Sequence, residues 1–116
     1  MHKTLLLLLL LVVAGAALAG EQALSGTWEI GGKTLVDPPP GEDQRSHFRV
    51  HLTGDAAKAL YDTMKVVAVE DECLGDGTTI KFDGGIACSA HPGAEGHECS
   101  FAIDVTGQRV ESAYSC

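Results

Sequence analysis

Positive charge is scarce in this chain: 8 Lys and Arg residues stand against 16 Asp and Glu. A phosphate binder needs a basic face, so nucleic acid and anionic membrane surfaces are excluded as partners. Apolar runs are short. The stretch at residues 5–13 falls below the ~20 residues a membrane-spanning helix needs. No G-x-S-x-G elbow, Walker loop or H-E-x-x-H helix occurs, which removes the common signatures of acyl transfer, phosphate binding and zinc hydrolysis. There is no C-x-x-C knuckle for zinc, no internal repeat and no sign of a second domain. Nothing in the sequence calls for a cofactor.

The front of the chain reads as a secretory signal peptide: His2-Lys3, an apolar middle, and small residues at Ala17 and Ala19, with cleavage expected after Ala19. Leu18-Ala19-Gly20-Glu21 has the shape of a lipoprotein processing site, except that Glu21 stands where the lipidated cysteine would be. The expectation is a signal peptide over residues 1–19 and one small disulfide-stabilised exported domain over residues 20–116. That domain would be periplasmic or extracellular, with no membrane anchor after cleavage. It carries seven basic and sixteen acidic residues, a net charge of −9.

Cys73, Cys88, Cys99 and Cys116 all fall in that domain, and an even count in an exported chain of this size implies two disulfides. If the strands flanking residues 91–97 pair as a simple hairpin, Cys88 lies opposite Cys99, within bridging reach. Cys73 then joins Cys116. The rival pattern, Cys73 with Cys88 and Cys99 with Cys116, stays open, since Cys116 also folds back near Cys99.

Periodicity gives the elements. Residues 27–30 and 33–36 read as two strands around Gly31-Gly32, and the Pro38-Pro39-Pro40 run that follows is a stiff loop. Phe48, Val50 and Leu52 alternate with His47, Arg49 and His51, as in a half-buried strand. Ala57, Leu60, Tyr61 and Met64 fall on one face of an amphipathic helix over residues 55–64, with Thr53 or Asp55 able to cap it. Residues 66–69 read as a short buried strand, and residues 80–82, 86–90, 99–105 and 110–116 as a meander. The expected fold is therefore α+β: one amphipathic helix packed on an antiparallel β-meander, with two disulfides. Trp28, Phe48, Val50, Leu60, Tyr61, Met64, Val67, Ile80, Phe82, Phe101 and Ile103 are the expected core.

Candidate chemistry is thin. His47 and His51 share a strand face, but about 13 Å of strand separates them, too far for one metal ion, so a solvated face is expected. His91 and His97 flank a glycine-rich loop in which both imidazoles, with Glu95 or Glu98, could gather around zinc or copper. Glu70, Asp71, Glu72 and Asp76 suggest calcium, yet the alternate positions after Asp71 are Cys73 and Gly75, which lack the oxygen ligands of an EF-type loop. They read instead as a partner-facing acidic loop. With the cysteines assigned to bridges, no thiol nucleophile is left.

Gly26-Thr27-Trp28 is similar to the G-x-W of lipocalins, but an eight-stranded barrel does not fit 97 residues that include a helix. The helix, meander and four cysteines also resemble the cystatins. Gln108-Arg109-Val110-Glu111-Ser112 lacks the glycine of their Q-x-V-x-G loop, and it follows three cysteines instead of preceding all four. No functional residues carry over from either family. The expected function is a non-enzymatic exported binding module, inhibitor-like or immunity-like, whose acidic surface meets a basic protein. Two alternatives stand beside it: metal binding through the His91/His97 loop, and a small hydrolase with an unmarked site.

Overall fold

The computed structural model describes residues 20–115. The expected signal peptide and Cys116 lie outside the described residues, and with Cys116 one end of the expected Cys73–Cys116 bridge. The described chain is α+β. Its strands are β1 (Gly26–Gly31), β2 (His47–Thr53), β3 (Val69–Glu70), β4 (Thr79–Asp83), β5 (Ile86–Ala90), β6 (His97–Asp104) and β7 (Arg109–Glu111), with one α-helix, α1 (Gly54–Thr63), and a 3-10 turn at Gly93–Glu95. All seven strands form one antiparallel sheet in the order β1-β2-β6-β5-β4-β3, with β7 also beside β6.

The central strand β6 is paired with β2 from Glu98 to Asp104 along one edge. Its other edge is shared: β5 takes His97 to Ser100, and β7 takes Ala102 to Asp104. The two short strands abut at Gly85, where a Cβ would lie 2.8 Å from the Val110 carbonyl oxygen; only glycine fits, and its φ of +86° is one that glycine adopts freely.

Helix α1 follows β2 without a loop because Gly54, at φ +60°, turns the chain at once. Thr53 sits at the N-cap, but its hydroxyl bonds Ser25 Oγ at 3.0 Å instead of a helix N–H. At the other end Lys81 Nζ, reaching up from β4, donates to the Tyr61 and Met64 carbonyls at 3.0 and 3.2 Å and lies 4.3 Å from the centre of the Tyr61 ring. A cation there offsets the partial negative charge of the helix C-terminus. Ala57 is fully buried and seats the helix on the Cys88–Cys99 disulfide, with the Cys99 sulfur 3.3 Å from the Ala57 carbonyl oxygen. Leu52, Val50, Leu60, Tyr61, Met64, Ile86 and Phe101 complete this core.

The disulfide expected from the hairpin register is present, which rules out the rival pairing of Cys88 with Cys73. Other expectations are corrected. Residues 33–36 form no strand. The carbonyls of Gly32 and Thr34 accept from Arg49 at 2.8 and 3.2 Å and Thr34 donates to Glu42, so that segment is held as a loop and β1 pairs with β2 instead. Residues 66–68 are not a buried strand: the chain leaves α1 at the sheet edge, only Val69 and Glu70 pair, and Val67 is 85% exposed. The helix covers only one end of its sheet face. At the uncovered end Trp28 stacks on Phe48 at 5.4 Å yet stays 67% exposed, and Ile103 is exposed too. Phe82 lies on the opposite face, half exposed, with Tyr114 edge-on against it.

Candidate functional site

The acidic loop between β3 and β4 is built by two of its own carboxylates. Asp71 is buried; its Oδ1 accepts the Cys73 N–H at 3.0 Å, and its Oδ2 accepts the Tyr114 hydroxyl at 2.8 Å. The Asp71 backbone bonds Thr78 O and Gly75 N, closing the loop at its base. Asp76 accepts both the backbone N–H and the hydroxyl of the fully buried Thr78, and these two bonds hold its carboxyl below the usual range. Sharing the Tyr114 proton with Asp71, together with burial, pushes that phenol above its ordinary value. Glu70 and Glu72 are left outward and exposed, and between them and Asp76 the loop also displays Leu74, which is 53% exposed. Of the four acids singled out from sequence, then, Asp71 and Asp76 shape the loop, Glu72 is presented by it, and Glu70 is exposed at the end of β3 just before it.

His91 and His97 do not converge. His97 lies on the helix side of β6, edge-on to Tyr61 with ring centres 5.3 Å apart. His91 is on the other side, with Nδ1 3.1 Å from Thr78 Oγ1 and Nε2 3.0 Å from Glu98 Oε2. His51 Nε2 approaches the second oxygen of the same Glu98 at 3.6 Å. Glu95 is exposed in the 3-10 turn. Since alternate residues of a strand point to opposite faces, His97 and its neighbour Glu98 are separated by the sheet. The His91 side faces the acidic loop: Asp76, Thr78, His91, Glu98 and His51 form one continuous polar chain.

A second polar cluster lies farther along this face and was not expected. The register sets His47 opposite Asp104 and Asp104 opposite Arg109. His47 is only 6% exposed, so the solvated face expected there is corrected: β7 folds Glu111 over it. His47 Nε2 lies 2.8 Å from Glu111 Oε2, and His47 Nδ1 lies 2.7 Å from Ser46 Oγ. Arg109 bridges Asp104 Oδ2 at 3.3 Å and Glu111 Oε1 at 2.7 Å. The Gly107 N–H holds the Asp104 carboxyl below the usual range, and His47 followed by Arg109 does the same for Glu111. His47, Asp104 and Glu111 are the one group of metal-type ligands found together among the described residues. Its members are 57 or more positions apart between β2 and the rest, so no local spacing signals it; only the non-local pairing of β2 with β6 assembles it.

Beside this cluster a cleft of about 380 Å³ runs past Thr27, Glu29, Arg49, His51, Ser100 and Ala113. The Arg49 guanidinium is engaged by Glu29 and by the Gly32 and Thr34 carbonyls, while its buried Nε has no partner among the described residues. No known family, curated protein or solved structure matches the chain.

Proposed function

We propose that the protein is an exported, non-enzymatic binding module that engages a basic protein partner through the loop after β3. The observation that carries this reading is the division of labour in the loop. Two carboxylates are consumed in shaping it, and Glu70, Glu72 and Leu74 are displayed on a frame that needs little further ordering. A preorganised loop loses less conformational entropy on binding than a flexible one. An exposed leucine lying between Glu72 and Asp76 in the chain offers an apolar anchor with acidic neighbours.

The charge balance of the surface agrees with this. Arg49, Lys58, Lys81 and Arg109 are held by carboxylates, main-chain carbonyls or the Tyr61 ring, so few cations are left to mask the exposed acids. Export is supported by the signal-like N-terminus and by the Cys88–Cys99 bridge, which belongs to an oxidising compartment. Within this reading Cys73 and Cys116 form the second staple, tying the acidic loop to the C-terminus. Among the described residues no helix is long and apolar enough to cross a membrane.

The test is affinity capture from envelope and culture-fluid extracts with the oxidised protein as bait, followed by titration of the recovered protein against increasing salt. A basic partner whose affinity drops steeply with salt, and drops again in the Glu70→Gln/Glu72→Gln variant, is the expected result. An interaction indifferent to both salt and these substitutions overturns the proposal.

A further inference from the structure

We propose that His47, Asp104 and Glu111 form a binding site for one divalent transition-metal ion of the zinc type, with the Arg109 guanidinium as the competing cation. The three residues come from adjacent strands β2, β6 and β7, and their ligand atoms all lie within 4.8 Å of one another. Zinc holds nitrogen and carboxylate oxygen at about 2.0–2.2 Å, which places tetrahedral donors roughly 3.4 Å apart, so side-chain adjustments of up to about 1.4 Å close the site. A nitrogen and two hard oxygens suit zinc or manganese and do not suit copper(I), which prefers sulfur.

The surroundings are those of a supported ligand set. Ser46 Oγ can donate to the Asp43 carbonyl at 3.3 Å and accept the His47 Nδ1–H at 2.7 Å, which orients the ring and leaves Nε2 as the ligating lone pair. Without a metal, the ring satisfies both neighbours in its other tautomer, Ser46 Oγ donating to Nδ1 and Nε2–H donating to Glu111 Oε2 at 2.8 Å, so a bound ion takes the place of that single proton. Asp104 is gripped from behind by the Gly107 N–H at 2.9 Å on Oδ1, leaving Oδ2 for an ion. Arg109 now supplies the positive charge that both carboxylates require, yet its side chain is 63% exposed and free to swing into solvent. A metal bound here would fasten β7, and through it the Ala113 to Tyr114 segment that reaches Asp71 and the acidic loop. The site is distinct from the loop in the proposed function and stands or falls independently of it.

Calorimetric titration of the oxidised protein with zinc, and the visible absorption of its cobalt(II) form, test the site. One equivalent bound with a raised melting temperature is expected. Arg109→Ala should bind about tenfold more tightly because the competing cation is gone, and Glu111→Gln at least about tenfold more weakly. Both substitutions are at partly or largely exposed side chains, so they separate metal binding from folding, which replacement of buried His47 would not. His91→Ala/His97→Ala should bind as wild type. Absence of stoichiometric binding in both wild type and Arg109→Ala, or binding lost in the His91→Ala/His97→Ala variant and kept in Glu111→Gln, overturns the proposal.

Discussion

Asp76, Asp104 and Glu111 each accept hydrogen bonds that favour the ionised carboxylate, and this sets how the fold responds to acid. Their folded pKa values lie below the unfolded ones, so the stability they contribute is fully present above the range where free carboxylates titrate, about pH 4. It is lost as pH falls through the lower folded values. Urea midpoints should therefore hold level from neutral pH to about pH 5 and drop below about pH 4. Asp104→Asn should flatten that drop, and an unchanged profile would show that the Gly107 and Arg109 contacts do not form in solution. Tyr114 has the opposite sign. Its raised pKa contributes stability below the ordinary tyrosine range, lost as pH rises through the folded value, and Tyr114→Phe should remove this alkaline sensitivity. The same substitution leaves buried Asp71 without its hydroxyl donor, at a cost of about 1 kcal/mol. Amide exchange in residues 71–78 should speed up, and unaltered protection there would mean the tail does not hold the loop.

Between helix and sheet, the fit depends on the smallest side chain available. Ala57 is fully buried against the Cys88–Cys99 bridge, so Ala57→Leu forces the helix off the sheet and should cost about 1–3 kcal/mol, read as a lower urea midpoint. Removing the bridge, which closes a span of 11 residues, should cost about 3 kcal/mol by loop entropy. The helix and the β5–β6 hairpin were legible in the sequence because each is a local pattern. Ala57, Leu60, Tyr61 and Met64 recur at helical spacing, and the hairpin register places Cys88 opposite Cys99. What was not legible is long-range. Gly31-Gly32 suggested a hairpin, but Arg49, seventeen positions beyond Gly32, takes the carbonyls a returning strand would use. Val67 had the composition of a core strand and lies exposed in the segment before β3. Trp28, expected inside, sits beyond the reach of a ten-residue helix. The His47 cluster was hidden for the same reason, since its members meet only through strand pairing.

At the scale of the whole molecule, acidity and architecture act together. The sheet carries a helix-covered region around the disulfide, and its other face holds two polar groups, the Arg109 cluster and the His51–Glu98–His91–Thr78 chain that reaches the acidic loop, beside the Phe82–Tyr114 pair. Cations on that surface are largely engaged within the fold, so long-range attraction for a positively charged protein is uncompensated. Such attraction acts mainly on the rate of association and is screened over about 8 Å at physiological ionic strength. Loop substitutions should consequently separate by type. Glu70→Gln/Glu72→Gln should slow association and weaken its salt dependence, whereas Leu74→Ser should speed dissociation with the salt dependence retained. The central claim is most directly tested by measuring association rates of the captured partner with wild type and with Glu70→Gln/Glu72→Gln across a range of salt concentrations. The account predicts a steep salt slope for wild type and a clearly shallower one for the variant; identical slopes for the two proteins would contradict it.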